Sequence, residues 1–146
     1  MKKIIIVMLA CCALLKVSAA DLNWTTDVPK AEAQAKTDNK LVLMDFTGSD
    51  WCGWCKKLDA ETFSQPDFAD YANKNLVLVQ LDYPNKKPQS DELKAANAAL
   101  QKKYNIEGFP TLIALKPDGT VVWKQVGYLA GGPSALIAKL DEAKNK

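Results

Sequence analysis

Two kinds of apolar pattern divide this chain. Leu41 to Thr47 (Leu-Val-Leu-Met-Asp-Phe-Thr) and Leu76 to Tyr83 are nearly unbroken apolar runs, as expected of strands covered on both faces. Around them, apolar residues recur at helical spacing. Val28, Ala31 and Ala35 follow the candidate N-cap Asp27 and Pro29, and this helix ends near Asp38-Asn39. Phe68 and Tyr71 mark the inner face of a helix starting at Ser64-Gln65-Pro66-Asp67. Leu93, Ala96, Leu100 and Tyr104 mark one face over 91–104, and Leu136, Ile137 and Leu140 mark another after Gly131-Gly132-Pro133. Thr111–Leu115 and Val121–Val126 flank Lys116-Pro117-Asp118-Gly119 and read as a β-hairpin. Gly48-Ser49-Asp50 turns the first strand into a further helix running to about Ala60. The first two strands, joined through helices, are expected to be parallel by a right-handed crossover, and the hairpin adds antiparallel strands. The predicted class is α/β, a mixed central sheet with helices on both faces.

The first 20 residues stand apart. Met1-Lys2-Lys3, the apolar run Ile4 to Leu15 and the small residues Ser18-Ala19-Ala20 have the three parts of a secretory signal. The run is shorter than the roughly 20 residues of a membrane span, and no other stretch qualifies. Met8-Leu9-Ala10-Cys11 has a faint look of a lipoprotein box, but cleavage there would leave only Ile4 to Leu9 as the apolar core, so an unlipidated export leader is preferred. Cleavage between Ala20 and Asp21 leaves one domain, 21–146, with 16 Lys against 17 Asp and Glu, a net charge of −1. The apparent basicity therefore belongs to the leader and makes no case for nucleic acid. All 19 basic residues are Lys, and there is no His. Without imidazole or guanidinium, Ser/His/Asp hydrolases and most metalloenzymes are set aside. Export implies a periplasmic or secreted protein in an oxidising compartment.

The candidate chemistry lies in Trp51-Cys52-Gly53-Trp54-Cys55-Lys56. Of four Cys, Cys11 and Cys12 fall in the leader, leaving Cys52 and Cys55. Two Cys at this spacing can form a redox pair, an inert structural disulfide, or half of a metal site. A structural zinc wants about four ligands, mostly Cys or His, which one such chain does not supply, so no metal is assigned. A soft-ion carrier for Cu(I) would want more sulfur than two Cys give, with Met44 the only Met after the leader. The redox reading is favoured because the pair follows a strand-like run and opens a helix. Cys52 at a helix N-terminus is expected to be the exposed, low-pKa nucleophile, and Cys55, one turn on, the more buried resolving thiol. Gly53 keeps the corner slim, and Trp51 and Trp54 offer apolar contact surface. Asp45 is an odd acid within an apolar run, and burial would raise its pKa.

These residues resemble the thioredoxin superfamily: Asp45-Phe46 at a strand end, the Trp51–Lys56 stretch, Gly108-Phe109-Pro110-Thr111 after a helix, and Gly127 after the hairpin. Cys55-Lys56-Lys57-Leu58 followed by Glu61-Thr62-Phe63-Ser64 is similar to a narrower group, the exported thioredoxin-like proteins and the C-terminal domain of the bacterial transmembrane thiol:disulfide interchange reductase. The resemblance covers roughly Trp24 to Leu140. It implies the three-layer thioredoxin-like fold, a Cys52–Cys55 redox disulfide, a cis-proline at Pro110 against that disulfide, and Asp45 as the buried acid beneath it. The chain departs from thioredoxin in three places. There is one extra residue between Asp45 and Cys52, Gln80 stands where thioredoxin has a Lys, and the centre is Gly53-Trp54 rather than Gly-Pro.

The expected function is an exported thiol–disulfide oxidoreductase acting on protein cysteines in the reducing direction, without a bound cofactor. It is expected to be a monomer supplied by an upstream redox donor. Trp51, Gly53, Trp54, Phe109, Tyr128 and Leu129 are the expected client-binding rim around the catalytic set Cys52, Cys55, Asp45 and Pro110. The alternatives are a thiol oxidant or isomerase, and a non-catalytic binding module with a locked disulfide.

Overall fold

Alternation within the second strand decides how the domain is layered. The computed structural model describes residues 21–145. The leader, with Cys11, Cys12 and the expected cleavage site, lies outside the described residues. Among these residues five strands form one sheet: β1 (Trp24–Thr25), β2 (Leu41–Thr47), β3 (Leu76–Asp82), β4 (Thr111–Leu115) and β5 (Val121–Val126). Their order is β1-β3-β2-β4-β5. β1 and β2 run parallel to β3, whereas β4 runs antiparallel to β2 and to β5. This is the expected mixed sheet.

Every residue of β2 is buried. Successive side chains point to opposite faces, so Val42, Met44 and Phe46 enter one core. That core also takes Val28, Ala31 and Ala35 of α1 (Val28–Asp38) and receives half-buried Leu100 from α4 (Asp91–Lys103). Leu41 and Leu43 enter the opposite core. There they meet Leu58 of α2 (Gly53–Leu58), Phe68 and Ala72 of α3 (Pro66–Asn75), and Leu136 and Leu140 of α5 (Gly132–Lys144). The same alternation sends Asp45 to this second face, beneath α2.

The helix starts follow their sequence signals. The Asp27 side chain accepts the Lys30 N–H, and Ser90 accepts that of Leu93. Asn39 ends α1 in the left-handed conformation. Gly119, at φ 85°, makes the hairpin turn.

Three sequence expectations are corrected and one strand is added. β1 went unseen because a two-residue strand carries no period. The cysteine helix stops at Leu58 and passes into a π-helical turn, Asp59–Phe63. This turn sends Phe63 into the core against Phe68, with ring centroids 5.1 Å apart. The expected apolar face of α4 is its inner face, with Leu100 and Tyr104 packed on the first core, but Ala96 does not belong to it. Ala96 is exposed, Leu93, Leu100 and Tyr104 are only half-buried, and the buried residue is Asn97. Asn97 is a polar clamp there: its Nδ2 donates to the Asp82 carbonyl and its backbone carbonyl accepts from the Tyr83 hydroxyl. Ile137 and Tyr71 are half-buried rather than inside. The Tyr71 hydroxyl turns outward to donate to Asp141.

Candidate active site

β2 ends at Thr47, and the loop 48–52 brings the chain over the end of the sheet. The Cys52 N–H donates to the Gly48 carbonyl at 2.8 Å. Cys52 is then the N-cap of α2, and its Sγ accepts the Cys55 N–H at 3.2 Å. A sulfur stabilised by a helix N–H is the arrangement that lowers a thiol pKa. Cys52 and Cys55 are joined as a disulfide. The expected asymmetry in exposure is absent in this state: each is 5% exposed. The exposed surface belongs instead to Trp51 and Trp54, 46% and 57% accessible.

The two sulfurs differ in what lies beside them. Cys55 lines a cavity of about 300 Å³ together with Asp45, Asp59, Gln80, Lys56 and Thr47. Asp45 is 3% exposed, and its Oδ1 has no partner. Burial pushes its carboxyl from 3.8 up to about 7; the Gln80 hydrogen bond opposes this, and the charges of Asp59 and Asp82 add to it. Asp45 and Gln80 are direct register partners on β2 and β3, and the Gln80 Nε2 donates to Asp45 Oδ2 at 3.4 Å. A neutral amide thus sits beside the acid at the position where thioredoxin has a Lys.

The second loop is held just as firmly. The Phe109–Pro110 bond is cis, as the resemblance implied, and Pro110 is buried. The Pro110 carbonyl accepts the N–H of Gly127, and the Thr111 hydroxyl donates to the Gly108 carbonyl. The Trp51 indole lies across Gly48, donates to the Tyr83 carbonyl at 2.8 Å, and meets Phe109 edge to face at 5.7 Å. On the other side Trp54 packs on Tyr128 at 5.4 Å, the Lys57 ammonium lies over both rings, and the Tyr128 hydroxyl donates to Glu61. Gly53 is exposed with open space around it, whereas Leu129 is half-buried against the second core. The structure therefore brings Trp51 and Phe109 together on one flank and Trp54 and Tyr128 on the other. Leu129 serves packing as much as surface.

Two contributors were missed in the sequence. Asp59 stands four residues after Cys55, a same-face helical spacing that could have flagged it. Tyr83 had no local signal: it reaches the site because β3 lies beside β2.

A prediction arises from the close approach at Gly48. A Cβ there would lie 2.4 Å from the Trp51 ring. Gly48→Ala should therefore displace the indole, break its bond to Tyr83 and cost about 1–3 kcal/mol. The Trp51 indole N–H resonance would report it; an unmoved resonance would refute this account of Gly48.

A protein with this sheet, a disulfide capping the helix after β2, and a cis-proline loop facing the same end has the architecture of a thioredoxin-like oxidoreductase. The thioredoxin-like domain family model matches residues 28–144. The chain belongs to that family and is a thiol–disulfide oxidoreductase. It is 32% identical over 127 residues to the disulfide bond reductase DsbH of Chlamydia pneumoniae, covering 87% of this chain and 75% of that protein. It is 34% identical over 98 residues to the thiol:disulfide interchange protein DsbD of Klebsiella pneumoniae, covering 67% of this chain but only 14% of that much longer protein. A solved DsbH oxidoreductase structure superposes with a TM-score of 0.81 at 31% identity, covering 89% of each chain. The C-terminal domain of Neisseria meningitidis DsbD, at 24% identity and a TM-score of 0.60, shares the fold.

Proposed function

We propose that this protein is an exported reductase of protein disulfides, working through Cys52 and Cys55. The observation that carries this reading is the cavity joining Cys55 to the buried acid Asp45, beneath a sulfur bound by a helix N–H. In the reduced protein the Cys52 thiolate attacks one sulfur of a client disulfide. The client's other sulfur leaves as a thiolate, and a mixed disulfide forms. Asp45 accepts the Cys55 proton, and the Cys55 thiolate attacks Cys52 Sγ. The second client thiolate leaves, and the Cys52–Cys55 disulfide forms. Two electrons pass to the client, and an upstream dithiol donor restores the pair. Trp51, Gly53, Trp54, Phe109, Tyr128 and Leu129 form the client rim, with Pro110 presenting backbone beside the disulfide.

The reducing direction follows the name of the DsbH relative and the Glu61-Thr62-Phe63-Ser64 similarity. Export follows the signal-like residues 1–20, with processing before Asp21 expected in an intact mass. Among the described residues no helix is long and apolar enough to cross a membrane.

The test is the reduction potential of the couple together with insulin disulfide reduction. A potential near roughly −270 mV with insulin turnover is expected. A value near about −120 mV would make the protein an oxidant, because the 150 mV gap corresponds to roughly 7 kcal/mol for two electrons. An insulin-inactive protein would be a binding module.

A further inference from the structure

Beyond the Trp51 flank of the disulfide, a groove of about 400 Å³ runs between the loop 84–90 and α4. One wall is aromatic. Phe109 packs on Tyr83 at 5.2 Å and on Trp51 at 5.7 Å, so the three rings form one continuous face starting next to Cys52. The opposite side is polar and basic, with Lys87, Lys94 and Gln101. Among the described residues that line the groove, none is acidic.

The neighbouring acids are already committed. The Asp50 carboxylate accepts the backbone N–H groups of Asn85, Lys86 and Lys87 at 2.7–3.0 Å, which fixes the loop. Asp82 accepts from Ser49. Asp91 meets Lys94 at 3.7 Å but is fully exposed outside the groove, so it neutralises little. Lys87 Nζ donates to the Ser49 hydroxyl, an uncharged partner. The groove therefore keeps a positive edge although the domain as a whole is nearly neutral. Asn97 lies at the base, 3% exposed, and its Oδ1 has no partner. A donor brought there would satisfy it.

We infer that this groove is a client subsite. It takes the polypeptide segment beside the target cysteine, with an aromatic or large apolar residue against Trp51, Tyr83 and Phe109 and an acidic residue against Lys87 and Lys94. The inference rests on the exchange reading above and adds the sequence class of the client. An apolar wall supplies affinity for many side chains, and the lysines select among them by charge.

The test compares two synthetic disulfide-bonded peptides that differ at one position flanking the cysteine, Phe-Glu in one and Phe-Lys in the other. Their reduction by the reduced protein is measured as kcat/KM, and the ratio cancels any general loss of activity. The Phe-Glu peptide should react about tenfold faster at low salt, the preference falling to about twofold near roughly 0.5 M salt. Lys87→Glu with Lys94→Glu should invert the preference. Lys94→Glu alone, on an exposed helix face, should reduce it and serves if the double variant does not fold. Equal rates for the two peptides in the unaltered protein, or a preference unmoved by Lys94→Glu, would overturn the subsite while leaving the exchange reading intact. If neither peptide nor insulin is reduced, the exchange reading falls and the subsite with it.

Discussion

Cys55→Ser will accumulate mixed disulfides with client proteins, and Cys52→Ser will not. In Cys55→Ser the Cys52 sulfur keeps its place at the start of α2, where the residue-55 N–H reaches it at 3.2 Å. It still attacks a client disulfide, but no second thiol follows one turn behind, so the adduct persists. Client turnover should fall by at least about a thousandfold in each single variant, because the two sulfurs act as one unit. The variants then differ in what is caught. Non-reducing gels should show thiol-sensitive adducts with Cys55→Ser only. Adducts in Cys52→Ser instead would reverse the roles, and adducts in neither would favour a binding module. The two cysteines are equally covered in the closed disulfide, so attack order rests on the N–H at Cys52 and the cavity at Cys55 rather than on exposure.

Asp45→Asn should change the pH dependence of stability and of the resolving step. Burial raises this carboxyl from 3.8 to about 7. Well below pH 3.8 it is protonated both folded and unfolded, and adds no pH-dependent term. As pH rises from about 4 to 7 the unfolded chain releases the proton while the folded chain keeps it. The unfolded state is thereby favoured, and stability falls. Above pH 7 the loss is complete, about 4 kcal/mol as an upper figure. Asp45→Asn removes this term, so the disulfide form should gain about 2–4 kcal/mol at pH 8 and almost nothing at pH 4. Urea midpoints at the two pH values measure it. In the wild type the attack of Cys55 on a preformed adduct should accelerate through pH 7. In Asp45→Asn that inflection should vanish, leaving only the ionisation of the thiol itself. A rate profile unchanged by the substitution would remove Asp45 from proton transfer.

Much of this site was legible before any coordinates. Cys52, Cys55 and Asp45 stand in local patterns, a spaced cysteine pair after an apolar run and an acid inside that run, whereas Pro110 in Gly-Phe-Pro-Thr was legible only through the family resemblance. The client flanks were legible only in part. Trp51 and Trp54 could be named because they adjoin the cysteines. Their partners are 58 and 74 residues distant, Phe109 against Trp51 and Tyr128 against Trp54. The failures share one cause. Ala96 was assigned to the inner face from helical period alone, and a period does not say that a neighbouring carbonyl, that of Asp82, needs the donor that Asn97 supplies. The π-helical turn at Asp59–Phe63 follows from where Phe63 must pack, which no window of local propensity contains.

What the sequence by itself determined was therefore the kind of chemistry and the layered α/β frame. Thiol spacing, apolar runs and helical periods are local, and each is enforced by the backbone geometry of a few consecutive residues. What the tertiary structure alone decided was the surroundings that tune that chemistry. Parallel pairing of β2 with β3 sets Gln80 opposite Asp45. The loop 84–90, pinned by the Asp50 carboxylate, closes the basic groove beside Trp51. Such effects depend on desolvation and on charges a few ångströms apart, and those distances exist only once strands far apart in the chain have paired.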